Sequence, residues 1–290
     1  LANHRTQIIG VFIPHDMGVF FDTSFYFPTI LRGIAKATRD RDYALLLMIG
    51  EEAEDDIRLT RRIVHNQIMD GLVLISPTLE HPLISELIRA DITFISADRI
   101  PQDSEQVSFV TVENVESSRT AVNHLIELGR RKIVVLAGSP LIIDTHDRVE
   151  GYKLALDDAK IPYDPDLVII DEYGYDSGYN GIQQLLQNNI EFDGVYASQS
   201  TIALGAVNAL LDAGIRLPED VSLIAFDDLA DAMNPRIGIS TMRQPVLDKG
   251  YQLADSLIDL IEGKVAASIH RFLPTELVIR DTCGGLKKTV

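Results

Sequence analysis

The chain has 290 residues, 46% apolar and 24% charged, with 43 acidic against 26 basic side chains and a formal net charge of −17. That composition suits a globular protein large enough for a full core and roughly two domains, and excludes a disordered chain. With Cys283 as its single cysteine, it also excludes an intrachain disulfide scaffold and a thiolate metal cluster. A surface this acidic repels nucleic-acid phosphates and anionic membranes. No apolar run approaches the roughly 18 residues of a membrane span, and the opening residues do not read as a signal peptide; the single cysteine fits a reducing compartment, and a cytoplasmic location is expected.

In chain order, short apolar runs rich in β-branched residues fall at 8–13, 43–49, 71–75, 92–95, 107–112, 132–137, 167–170, 194–197, 221–226 and 239–242. Continuous rather than alternating apolarity predicts strands buried on both faces. Helix-period segments lie between them. Residues 115–128 place Ala121, Val122, Leu125, Ile126 and Leu128 on one face and close on Gly129. Residues 201–213 repeat the pattern before Gly214, and 246–261 before Gly263. Strand–helix alternation predicts an α/β chain of parallel sheets flanked by helices. Ten strands strain one open twisted sheet, so two Rossmann-like lobes are expected. The polar segment 101–108 is a candidate boundary.

Ligands of open parallel sheets bind beyond the carboxyl ends of the strands. The residues there are His15, Asp16, Ser76, Asp98, the stretch 144–148 ending in Arg148, Glu172, Tyr173, Gln199, Ser200, Asp227, Asp228 and Gln244. Tyr26 and Phe27 open the first helix. Carboxylates, amides, a guanidinium and aromatic faces suit a neutral, polyhydroxylated ligand. Each residue also has a plainer reading. Asp227 and Asp228 could cap a short helix, Asp98 could pair with Arg99, and Arg148 could pair with Asp144, Asp147 or Glu150. Gln199 and Gln244 could satisfy loop backbone, and the aromatics could be core. The recurrence at one edge is what favours a ligand site.

Signatures of catalysis and of phosphate binding are missing: no Walker A run, no Gly-x-Gly-x-x-Gly after a strand, no nucleophile elbow. The seven histidines form no metal spacing. Neither a catalytic residue, a metal nor a cofactor is therefore assigned. His124 and Arg130 are expected to be structural, and His146 to be exposed.

Several ordered stretches carry a resemblance: 9–14 (IGVFIP), 31–34 (LRGI), 69–74 (MDGLVL), 124–136 (HLIELGRRKIVVL), 148–156 (RVEGYKLAL), 203–228 (ALGAVNALLDAGIRLPEDVSLIAFDD), 240–245 (STMRQP) and 276–280 (ELVIR). Together they resemble the effector-binding module of lactose-repressor-type (LacI/GalR) bacterial transcription regulators. The resemblance implies a type I periplasmic-binding-protein-like architecture. One lobe would comprise residues 1–112 with 245–272, the other 113–244 with 273–290. A small-molecule effector, a sugar, would bind in the inter-lobe cleft, and the lobes would assemble into a homodimer. Operator DNA would be read by a helix-turn-helix preceding this sequence. Positions matching the family's ligand contacts are Tyr26, Phe27, Asp98, Arg148, Tyr173, Asp227 and Gln244. Gln199 stands where the family has an Asn-Asp pair, and Arg130 where it has His. The loop 15–25, with Phe20, Phe21 and Phe25, is longer than usual. The alternatives are a periplasmic sugar-binding protein of a transport system, and an α/β enzyme acting on a sugar or nucleoside with Asp98, Asp227 or His146.

Overall fold

A computed structural model describes residues 5–15, 24–50, 56, 58–59, 62–63, 68–100, 105–228, 237–265 and 268–284. The chain divides into two compact units, residues 1–112 with 245–273 and residues 113–244 with 274–290.

The first unit holds β1 (Ile8–Ile13), α1 (Tyr26–Asp40), β2 (Ala44–Ile49), β3 (Gly71–Leu74), α2 (Pro82–Arg89), β4 (Phe94–Ser96) and β5 (Ser108–Val112). The second holds α3 (Asn114–Glu127), β6 (Ile133–Ala137), α4 (Ile143–Asp158), β7 (Val168–Ile170), α5 (Tyr175–Gln187), β8 (Gly194–Ala197), α6 (Ser200–Asp212), β9 (Ser222–Phe226) and β10 (Ser240–Arg243). The chain then returns to the first unit as α7 (Val246–Ile261) and β11 (His270–Leu273), and to the second as β12 (Glu276–Val278). Each unit has one six-stranded sheet, ordered β11-β5-β4-β3-β1-β2 and β12-β10-β9-β8-β6-β7. All pairings are parallel except β10 with β12.

Every residue of β3, β5, β6, β8 and β9 is buried, which is why their sequences are predominantly apolar on both faces rather than alternating. In both units strand order reverses beside the first strand of the unit. The neighbours β1/β3 and β6/β8 flank that switch point, where loops from adjacent strands diverge and leave a crevice.

Glycines set how closely the helices pack. A Cβ on Gly178 of α5 would lie 1.9 Å from the Ile202 carbonyl oxygen, and one on Gly205 of α6 would lie 2.0 Å from that of Tyr175. In the first unit Gly33 of α1 and Gly250 of α7 face Leu247 O and Ile30 O at 2.1 Å in the same sense. Backbone meets backbone at these crossings, so any side chain there pushes the helices apart. The clamp between α1 and α7 is completed by Arg41, which pairs with Asp255, Asp259 and Glu262 at 2.5, 2.9 and 2.8 Å.

Helices α3 and α6 end as their sequences predict, with Gly129 and Gly214 in left-handed backbone at φ +93° and +75°. Two strands were not expected. β11 (HRFL) and β12 (ELV) each open on polar or charged residues before their apolar ones, and each strand is a sheet edge with one partner. The segment 101–108 divides no lobes: β4 and β5 on either side of it pair in one sheet. Residues 16–23 of the long first loop, including Phe20 and Phe21, lie outside the described residues. Among those described, no helix is long and apolar enough to cross a membrane.

Candidate functional site

In the second unit the polar side chains converge at the β6/β8 switch point. Arg148 lies on the second turn of α4 and is 4% exposed. Its Nε donates to Asn114 Oδ1 at 2.9 Å, Nη1 to the Ser198 carbonyl just after β8 at 2.6 Å, and Nη2 to Asp144 Oδ2 at 3.3 Å. Asn114 Nδ2 closes the ring by donating to Asp144 Oδ1 at 2.9 Å. The guanidinium also stacks over the Phe226 ring, 3.8 Å from its centroid. Burial opposes its charge, but attraction from Asp227 and Asp144 outweighs this and raises its pKa. Arg148 is thus a fixed, permanent cation whose fork is oriented by three separate elements.

Asp227 follows β9 with φ +72°, a left-handed conformation that a non-glycine residue holds only under constraint. Its N–H donates to Met242 O at 3.0 Å, and its carbonyl accepts from Thr241 Oγ1 at 2.7 Å. Gln244 Nε2 donates to its Oδ1. Tyr173 packs over Gly138, where a Cβ would come within 2.2 Å of the ring. The Tyr173 hydroxyl and Thr145 Oγ1 share a hydrogen bond of 2.9 Å. The absence of a side chain at residue 138 is what gives the ring its place at the end of β6.

Three buried polar atoms at this edge have no hydrogen-bond partner: Ser198 Oγ, Ser200 Oγ and Gln244 Oε1. Unpaired buried oxygens are costly. Clustered beside a forked cation and a constrained carboxylate, they form a surface that hydroxyl groups can satisfy.

In the first unit Asp98 follows β4 and is 3% exposed. Its Oδ1 accepts from Lys249 Nζ of α7 at 2.8 Å and its Oδ2 from Ser76 Oγ after β3 at 3.4 Å. Lys249 also donates to the Tyr26 hydroxyl at 3.2 Å. Tyr26 meets Phe27 edge to face, with ring centroids 5.5 Å apart.

The structure therefore gathers Arg148, Tyr173, Gln199, Asp227 and Gln244 at one sheet edge, and Tyr26, Phe27 and Asp98 at the other unit's edge. Asp98 pairs with Lys249, 151 residues away in sequence, and Arg148 takes Asp144 from among its local acids. Gln199 serves the backbone: its Oε1 accepts from Thr201 N at 2.9 Å and Ile202 N at 3.3 Å, capping α6. Phe27 is buried in the first unit. Asp228 is held by Arg280 and Arg243 at 2.6 and 2.5 Å, which keep its carboxyl below the usual range against the opposing effect of burial. His124 reaches Cys283 Sγ at 3.4 Å, and Arg130 binds Ser222 Oγ and the carbonyls of Pro218 and Asp220, both structural contacts. His146 is exposed and meets the Pro140 carbonyl.

Sequence reasoning missed Asn114, Ser198 and Lys249. For Lys249 a signal exists: it is the only charged residue on the buried stripe Val246, Lys249, Gly250, Leu253, Ala254, Leu257, Ile258 of α7. Asn114 carries none, because an amide at a helix start reads as a cap. Among the described residues, no group of three His, Cys, Asp or Glu side chains is placed to hold a metal ion.

Residues 122–283 match the family model described as periplasmic binding protein-like domain. The chain is 30% identical over 285 residues to the HTH-type transcriptional regulator CelR of Thermobifida fusca, covering 97% of this chain and 83% of that protein. A solved CelR–cellobiose complex superposes with TM-score 0.91 at 28% identity, covering 97% of this chain and 86% of that one. A LacI family regulator from Enterococcus faecium with bound ribose superposes with TM-score 0.80 at 27% identity, covering 97% and 100%. Two sheets of the same strand order, the family match over more than half the chain and a relative matched over 97% of this chain lead to one conclusion: the chain belongs to the periplasmic-binding-protein-like family of LacI-type transcriptional regulators.

Proposed function

We propose that this chain is the effector-sensing part of a transcriptional regulator and that its effector is a neutral sugar. The observation that carries the reading is the second unit's edge. There a buried forked cation, a constrained carboxylate and three unpartnered oxygens lie together at a topological switch point. Hydroxyl groups donate and accept at once, so they complement such a mixed set, whereas an apolar ligand would leave the three oxygens of Ser198, Ser200 and Gln244 unsatisfied. The carboxyl edge of the first unit holds a second set of candidate contacts, Asp98 and Tyr26. Tyr173 and Tyr26 supply faces for the apolar side of a sugar ring.

The relatives support this choice. CelR was solved with cellobiose and the Enterococcus regulator with ribose, and their names are those of regulators, which favours a sensor over a binding protein of a transport system. Binding rather than turnover is the proposed task, in the cytoplasm. Operator DNA would be read by a module outside this sequence; a helix-turn-helix encoded upstream of Leu1 is the expected finding, and a secretion signal there would overturn it.

Titration calorimetry against cellobiose, maltose, glucose, galactose and ribose tests the effector. One site per chain with at least one of these sugars is expected. No heat and no shift in melting temperature with any of them would sink the reading.

We also propose a homodimer, the assembly that lets one binding event orient two DNA readers. Light scattering should return twice the 32.2 kDa chain mass; the single-chain mass across the micromolar range counts against it.

A further inference from the structure

We infer that Lys249 is a positioning residue of the effector site: it holds Asp98 as an oriented acceptor and fixes the Tyr26 hydroxyl beside it. The inference rests on the effector reading above and deepens it.

The physical problem is why a lysine sits there at all. Lys249 is 1% exposed on a helix face that otherwise carries no charge. Burying an ammonium costs several kcal/mol before any pairing. A methionine would fill the same stripe at no such cost, and buried ion pairs are often no better for stability than well-packed apolar groups. Stability alone therefore does not account for the residue. The same helix shows the contrast: Arg41 binds Asp255, Asp259 and Glu262 where all four side chains keep between 20 and 31% of their exposure. That cluster clamps two helices with charges still partly in water.

Lys249 instead points to a strand end. Its ammonium joins Asp98 Oδ1 at 2.8 Å and the Tyr26 hydroxyl at 3.2 Å, and lies 5.7 Å from the centroid of the Tyr26 ring. Ser76 Oγ approaches the second oxygen, Asp98 Oδ2, at 3.4 Å, and the Asp98 N–H donates to Ser96 Oγ at 3.3 Å. Ser76 itself is held at φ +48°, a conformation that costs energy in serine. Asp98 is thus fixed from the ends of β3 and β4 and from α7. Lys249 sets a cation against its carboxylate, so this edge offers an oriented acceptor whose charge is countered at 2.8 Å. That is the requirement for binding an uncharged hydroxyl-rich molecule. Lys249 acts through Asp98 and Tyr26, because its own buried position gives it little direct reach.

The test compares Lys249→Met, Asp98→Asn and the double variant with wild type by thermal unfolding and by titration with whichever sugar of the panel binds. Arg148→Lys serves as the reference for the second unit. Each single variant removes one member of the buried Lys249–Asp98 pair and should melt several degrees lower. The double variant removes both charges and should recover most of that loss. Affinity should behave differently: at least about tenfold weaker in Lys249→Met and still at least about tenfold weaker in the double variant. If Lys249→Met does not fold, the charge-balanced double variant supplies the affinity. Affinity that recovers together with melting temperature would make Lys249 merely structural and overturn the inference. So would unchanged affinity in Lys249→Met while Arg148→Lys binds weakly, an outcome that leaves the effector reading standing. A wild-type protein that binds none of the panel overturns both.

Discussion

Replacing Arg148 with methionine is expected to lower folding stability by about 3–5 kcal/mol and to abolish effector binding. The side chain is 4% exposed and donates to Asn114, Ser198 O and Asp144. Its removal leaves a buried carboxylate at Asp144 without its cation, an uncapped carbonyl at Ser198 and an amide oxygen at Asn114 without its donor. Each is a polar group that loses a charged donor inside the protein, which costs more than the original bond contributed. Arg148→Lys separates the two roles. Charge is kept, so the fold should survive, but a single ammonium cannot reach three acceptors in three directions. Binding of the effector should weaken by roughly 1–3 kcal/mol. Chemical denaturation gives the first number and titration calorimetry the second. A stability within error of wild type in Arg148→Met would remove the guanidinium from the centre of this edge.

The second large effect is expected at Gly205. In an isolated helix Gly→Ala gains about 1 kcal/mol, because alanine forfeits less backbone entropy. At this position the new methyl carbon would sit 2.0 Å from the Tyr175 carbonyl oxygen and 2.8 Å from the Tyr179 nitrogen. Both contacts are backbone, so no side-chain rotation relieves them, and α5 and α6 must separate. Overpacking of this kind costs about 1–3 kcal/mol, occasionally more, so the net effect is destabilising. Because α6 starts at Gln199 and Ser200 beside the second unit's edge, the shift should also weaken effector binding. A melting temperature at or above wild type in Gly205→Ala would show that the helices can part at no cost.

Much of the candidate site was legible because the α/β architecture confines ligand contacts to one edge. Asp227 and Tyr173 stand just after strands and Arg148 lies in the first two turns of the helix that follows one, so counting strand ends finds them. Gln199 shows the limit of that method. A long amide after a strand reads equally as ligand contact and as helix cap, and the structure gives its carbonyl oxygen to the cap. Asp227 and Asp228 are adjacent in sequence yet differ in kind. Asp228 turns to Arg243 and Arg280, whereas Asp227 is held in left-handed backbone by Met242 and Thr241. No local pattern separates them, because their partners lie on another strand and near the chain end.

From the letters alone came the strand–helix alternation, the buried strands, the glycine-closed helices and the polar residues at each strand end. All of these depend on neighbours within one turn or one pleat, and periodicity records such neighbours. Tertiary structure alone decided which strand ends adjoin, that the charged stretches at 270–273 and 276–278 are sheet edges, and that Lys249 meets Asp98. Those outcomes depend on groups from some twenty to more than a hundred and fifty residues apart brought together by burial of the core. A buried charge finds its partner by where the helices pack, and composition along the chain does not encode that distance.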